Sequence, residues 1–403
     1  VAKRPPVSFA LKVLYSDTFI MAVGFYMLVP LLAYHFLQDL TLTIAVVAAL
    51  TALRTAAQNG MMPIAGWVAD RINFRRAILI GVLVRASGFA MLGTVESVPL
   101  LVVASILTGL GGALFHPASY SAYAALTTGS DRVRVYSTRE VVSNVGFIVG
   151  PIIGGFLAGA DFAFVSLSAA GMFVIAFIIS AIGLPGPGEE HAARTPPRLR
   201  VAFADLAFLR YCALVAGTAV LIAQFYLVIP FRAAEFTSGP SDLGFIYSGA
   251  AIVMVLTMLP LTGAANRFLP DRITLAGATA CLGVGIGIMG LSTNLVGMLV
   301  GVAVFIVGQM LAQPVLNATV SRFAPEGSVA SYFGVQGLAN AIGGAAGSGS
   351  AGVIYALADS GEPGASWVWL TYPVWAIIVA IMFVVFGPRQ ASGSADSKPS
   401  APR

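Results

Sequence analysis

Long apolar runs alternate with short polar breaks along almost the whole chain. A helix needs about 20 apolar residues to cross a bilayer. By that measure the pattern predicts twelve spans, at roughly 9–36, 42–66, 77–95, 98–127, 135–160, 162–185, 209–235, 241–265, 272–292, 295–323, 329–358 and 366–387. Segment 202–208 reads as a short amphipathic lead-in lying on the membrane surface. The longest break, Pro185–Arg200, is rich in proline, glycine and charge, the composition of a linker. The expected division is a six-helix half at 1–184, a cytoplasmic linker and surface helix at 185–208, a second six-helix half at 209–387, and a disordered cytoplasmic tail at 388–403.

Composition makes the bilayer the solvent. Of 403 residues, 58% are hydrophobic and 10% charged, where soluble domains carry about 25% charge. The expected class is an all-α integral membrane protein. The first run is too long for a signal-peptide core and lacks a small-residue cleavage site, so no cleaved leader is expected. Cys212 and Cys281 lie in apolar runs and read as small hydrophobes rather than a disulfide or metal pair. No metal or nucleotide signature is present, so neither a metal nor an organic cofactor is expected.

The net charge of +5 raises the question of nucleic acid, but the basic positions describe topology instead. Apart from Arg54, Arg85 and Arg139 within spans, and Arg232, the Lys and Arg residues sit in the tails or at the even-to-odd loops. The positive-inside rule then puts both termini in the cytoplasm.

The halves repeat. Phe25-Tyr26-x-x-x-Pro30 echoes Phe225-Tyr226-x-x-x-Pro230, Pro63-x-x-Gly66 echoes Pro260-x-x-Gly263, and His116-Pro117 echoes Gln313-Pro314. Tyr136-x-x-x-Glu140-x-x-x-Asn144 echoes Tyr332-x-x-x-Gln336-x-x-x-Asn340. Two parallel six-span repeats with a substrate site between them near the midplane is a transporter architecture.

A charge deep in a membrane is a functional hypothesis by default. Asp17, about two turns into span 1, is the first proton-coupling candidate, with Arg54 and Arg85 as possible charge partners and a static ion pair as the structural alternative. Glu140 follows Arg139, so an interfacial salt bridge stands beside a coupling role. His116 titrates near neutrality in water, although a lone histidine on an apolar helix is more often a satisfied core residue. Gln224, Gln313, Asn317, Gln336 and Asn340 offer a polar strip facing a cavity, or else interhelical hydrogen bonds. Tyr26, Phe115, Tyr120, Tyr226 and Met310 offer an adaptable wall, or else packing.

Two stretches carry a resemblance. Gly66-x-x-x-Asp70-Arg71-x-Asn73-Phe74-Arg75 resembles the loop signature of the major facilitator superfamily, with Asn73 where the family has glycine and Phe74 where it has arginine. Asn tolerates a left-handed backbone best after glycine, so the turn is expected to survive. Gly146-x-x-x-Gly150-Pro151-x-x-Gly154-Gly155 resembles the fifth-helix signature of the drug:proton antiporters. Leu53-Arg54, Arg85-Ala-Ser-Gly-Phe89 and Thr108-Gly-Leu-Gly-Gly are similar to MdtH-type multidrug exporters. The resemblance implies the major facilitator fold, a cytoplasmic gate at Gly66, Asp70, Arg71 and Arg75, and, from the glycine-proline helix, exchange of substrate for protons; the glycine face itself reads either as tight packing or as a surface that slides as the halves rock. Ser105 stands where that branch has an arginine, so a relay through that position is absent or moved to Arg54 or Arg85.

The expected function is a secondary active transporter: proton-driven efflux of amphiphilic or hydrophobic drugs by alternating access. The expected partners are that small molecule, protons and membrane lipids, with no nucleic acid, in a monomer of a bacterial cytoplasmic membrane. A narrower substrate of the same fold (a metabolite, siderophore or lipid-linked sugar) is the first alternative. An intramembrane enzyme is disfavoured, because no nucleophile–base pair stands at membrane depth.

Overall fold

The computed structural model describes residues 8–127, 131–158, 161–186, 199–226, 228, 232, 236, 240–358 and 365–387. The first half holds α1 (Phe9–Gln38), α2 (Ile44–Ile72), α3 (Phe74–Leu92), α4 (Val98–Ala125), α5 (Arg132–Ala158) and α6 (Phe162–Gly183). The second holds α7 (Leu206–Ile222), α8 (Pro240–Phe268), α9 (Asp271–Leu291), α10 (Leu295–Phe323), α11 (Val329–Ala358) and α12 (Thr371–Phe386). All twelve expected spans contain a helix. In the seventh, the described helix runs on into a 3-10 turn, Ala223–Tyr226, and most of 227–235 lies outside the described residues. The lead-in is a single short helix, Leu199–Ala204, stopped by Asp205, whose carboxylate accepts the Phe208 amide at 2.9 Å and starts α7. The expected tail at 388–403 and most of the linker lie outside the described residues.

Local chemistry sets the other starts. Side-chain oxygens of Ser8, Thr43, Asp161 and Asn294 accept the orphan first-turn amides of α1, α2, α6 and α10. Between α2 and α3 the chain turns on Asn73 alone, at φ 81°, and its Oδ1 accepts the Arg75 amide at 2.8 Å. The asparagine therefore takes the left-handed turn that a glycine would take, and adds a cap.

Eight of the described helices are long and apolar enough to cross a membrane. Large apolar side chains point outward along them, among them Phe156, Ile182, Val296 and Phe386. That surface suits lipid and not water. α2 and α11 are not among the eight, and they pack against each other between the halves.

Glycine contacts repeat with the sequence. In the first half α3 and α4 meet where a Cβ on Gly81 would lie 2.9 Å from the Phe115 nitrogen; in the second α9 and α10 meet where one on Gly285 would lie 2.6 Å from the Phe305 nitrogen. Gly146, Gly150 and Gly154 of α5 abut the α1 backbone, as Gly343 and Gly347 of α11 abut α7. Gly155 faces open space, which removes it from the packed face expected of all four. The smooth face joins helices of one half, so it does not slide between halves. Pro151 lies inside α5 within this contact.

The halves close on each other at the end carrying Arg71, Arg75 and Arg76, here called the basic end. Gly66 meets the Ala330 carbonyl, Gly334 meets the Met62 carbonyl, and the Arg132 guanidinium donates to the Ser321 carbonyl at 2.8 Å. Farther along the same seam Thr51, Thr55 and Asn340 are exposed. Thr55 is two turns before Met62 and Asn340 two turns after Phe333, so each continues a face that is in contact at the basic end. We read that uncovered stretch as a cleft between the two half-bundles.

Candidate functional site

Below the cleft, in the first half, a cavity of about 230 Å³ is lined from five helices. α1 supplies Thr18, Met21, Ala22, Phe25 and Tyr26; α2 supplies Gln58; α3 supplies Arg85; α4 supplies Phe115 and His116; α5 supplies Arg139 and Ser143. Of the expected cavity and coupling residues, Tyr26, Phe115, His116, Arg85 and Arg139 are therefore brought together. Thr18, Gln58 and Ser143 are additions. A polar side chain in an apolar run was their only signal.

Two guanidiniums share one aromatic ring. Arg85 lies 4.9 Å and Arg54 5.6 Å from the centroid of Phe25. Arg85 is only 3% exposed and also approaches Phe89 and Phe173 at 5.7 Å each. Among the described residues no carboxylate forms an ion pair with either arginine. Such cation–π contacts hold a cation at depth without neutralising it.

Asp17 does not pair with them. It is 0% exposed and both carboxylate oxygens lack a hydrogen-bond partner. Val13 packs on Gly183 and Gly24 on Phe173, so residues 13, 17 and 24 share the face of α1 that meets α6. Asp17 thus points into the α1–α6 seam, where the Ser180 hydroxyl is also buried without a partner. Its repeat position, Gly217, lies in the matching α7–α12 seam, against Val379, with its carbonyl accepting from Trp375 Nε1 at 2.9 Å. An indole fills in one half what a carboxyl and a hydroxyl share in the other.

Glu140 is ion-paired with Arg139, and that guanidinium sits 4.4 Å from the Tyr120 centroid. Tyr120 stacks on Phe333 of α11 at 4.8 Å, so it belongs to the seam between halves. Gln336 donates to Asn317 at 3.3 Å, a bond within the second half. Gln313 is half-buried and Asn340 exposed on the cleft.

Two expected cavity residues have other positions. Gln224 donates to the carbonyls of Val220 and Gly347 at 2.8 and 3.0 Å and accepts from Tyr372 at 3.1 Å, bracing α7, α11 and α12. Met310 is buried in the second half's apolar cluster, its sulfur accepting from Thr257. The Tyr226 side chain lies outside the described residues.

The gate residues divide similarly. Asp70 accepts from the amides of Ala330 and Ser331 and from the Ser331 hydroxyl, across the seam. Arg71 is exposed and lies 5.4 Å from the Trp67 centroid on its own helix. Arg75 donates to the Ala181 carbonyl of α6, which fastens its own half. The crossing cation, Arg132, was not singled out from the sequence, where it is one of several loop arginines.

The sequence profile of the Major Facilitator Superfamily matches residues 17–348, and again 229–402. The multidrug resistance protein MdtH of Aeromonas salmonicida (strain A449) is 28% identical over 355 residues, 87% of this chain and 89% of that protein. MdtH of Sodalis glossinidius (strain morsitans) is 29% identical over 85% of each chain. The crystal structure of the human organic anion transporter MFSD10 superposes with a TM-score of 0.73 at 16% identity, covering 94% of this chain and all of that one. A POT family transporter in complex with 5-aminolevulinic acid superposes with a TM-score of 0.68.

Proposed function

This chain belongs to the Major Facilitator Superfamily and is a multi-pass membrane transporter of small molecules rather than an enzyme; from that premise we propose that it is a proton-coupled exporter of amphiphilic compounds working by alternating access. The observation that carries the reading is one-sided closure. The halves are latched at the basic end, by Asp70 on α11 and Arg132 on α10, and diverge over an aromatic, polar cavity. Positive charge marks the cytoplasmic side, so the conformation is outward-open and both termini are cytoplasmic, in a bacterial cytoplasmic membrane. The protein acts as a monomer among lipids, with the substrate path between its own two halves. The names of the MdtH relatives and the glycine-lined α1–α5 contact support export of drug-like molecules.

Asp17 is the coupling carboxyl in this account. A charge there has the Ser180 hydroxyl in the same seam but no ion-pair partner among the described residues, and such a charge at that depth is costly. Exchange of its proton is thereby tied to whether water reaches the α1–α6 seam, which changes as the half-bundle rocks. The test is transport in proteoliposomes with an imposed pH gradient. Concentrative movement of an amphiphilic solute that stops when an ionophore collapses the gradient is the expected result. Movement that only equilibrates the solute, with or without the gradient, overturns the coupling.

A further inference from the structure

We infer that the cavity selects an amphiphilic anion, held by Arg85 with Arg54 beside it; this deepens the transport reading and rests on it. The argument is a charge inventory. Arg85, Arg139 and His116 line the cavity, and Arg54 shares the Phe25 ring with Arg85. The nearby carboxylates are committed elsewhere: Glu140 pairs with Arg139, and Asp17 faces Ser180 in the α1–α6 seam. Two guanidiniums remain at membrane depth with aromatic rings and no counter-ion among the described residues.

Like charges gathered in a low-dielectric site repel, and each is costly to bury. A carboxylate or sulfonate brought by the substrate relieves both terms, and arginine's planar donor set suits it. A cationic substrate would add a further like charge, which is discrimination by repulsion. Met21, Phe25 and Phe115 supply apolar surface for the rest of the molecule. An inorganic anion would leave that surface uncovered.

The test holds the apolar body fixed and varies the charge. Pyrenebutyrate, pyrenebutanol and a pyrenebutyl-trimethylammonium salt are titrated by fluorescence against the full chain in phosphatidylcholine nanodiscs, with empty nanodiscs subtracted. The anion is expected to bind roughly ten- to a hundredfold tighter than the alcohol, as a charge-assisted hydrogen bond implies, and the cation most weakly. Arg85→Gln removes the preference and Arg85→Lys keeps part of it. Arg54→Gln, at a half-buried position, reduces it in a variant less exposed to folding defects. Cation binding equal to or tighter than anion binding overturns the inference. So does a preference that survives Arg85→Gln and Arg54→Gln together, or absence of binding by folded protein. The titration uses no gradient, so a failure of proton coupling leaves its outcome unchanged, and a failed preference leaves transport standing.

Discussion

The Asp70 carboxylate, at the end of α2, takes the Ala330 and Ser331 amide hydrogens at 2.8 and 2.7 Å and so caps α11 from the opposite half of the protein. A helix start leaves its first amides without partners and carries partial positive charge. When the basic end opens, those amides lose their acceptor. The cap is thus a latch whose strength adds directly to the closed state.

Asp70→Ala is expected to weaken that closure by about 0.5–2 kcal/mol, the usual worth of a cap. That shifts the closed-to-open ratio roughly two- to thirtyfold. Spin labels at Arg76→Cys and Pro325→Cys, with Cys212 and Cys281 replaced by serine, report the separation across this end. A longer distance must grow in the Asp70→Ala background. An unchanged distribution means the cap carries no closing energy.

Gly66→Ala should open the same end by a different route, because a Cβ there would lie 2.2 Å from the Ala330 carbonyl oxygen. The same labels measure it. Retention of the closed distribution would mean that α2 and α11 yield by a small shift instead.

In α5, Gly154 and Gly155 are neighbours with opposite surroundings. A Cβ on Gly154 would lie 2.1 Å from the Met27 carbonyl oxygen, while one on Gly155 meets nothing within 4 Å. Gly154→Ala should lower the melting temperature by parting α1 from α5. Gly155→Ala should be neutral or gain roughly 0.5–1 kcal/mol from helix propensity. Equal effects of the two substitutions would contradict the packing described.

Asn73 sits at positive φ. Asn73→Gly is expected to fold and transport normally, whereas Asn73→Val should cost about 1–2 kcal/mol for the left-handed backbone, beyond the Arg75 cap that both variants lose. Thermal unfolding in nanodiscs separates them. A valine variant as stable as the glycine variant would show that the turn is not held at that φ.

The helices were legible in the sequence because they depend on local, periodic chemistry; the gate was implied by resemblance alone, and of its residues Asp70 reaches α11 while Arg71 stays on its own helix. Span length reads out from apolar runs, and Asp70 stands in a motif whose spacing survives here apart from Asn73 and Phe74. The directions of single side chains were less legible. Asp17, Arg54 and Arg85 are all charges at depth, yet which face of α1 carries Asp17, a step of about 100° per residue, decides whether it meets a guanidinium or Ser180. Gln224 and Gln336 look alike in sequence; one is used up bracing Gly347 and Tyr372, the other lies beside Asn317. The repeat contained one unused clue. Gly217, the partner of Asp17, sits where a bulky neighbour, Trp375, reaches its carbonyl, which places both positions on a helix seam rather than on a cavity.

The central claim is that Asp17 exchanges the proton that drives export. The most direct measurement is the internal pH of proteoliposomes, read with a trapped indicator, as substrate is added under an imposed gradient. Wild type should move protons opposite to the substrate, and Asp17→Asn should bind the substrate with similar affinity while moving neither concentratively. Substrate-linked proton movement of wild-type size in Asp17→Asn would contradict the account and assign coupling to another group.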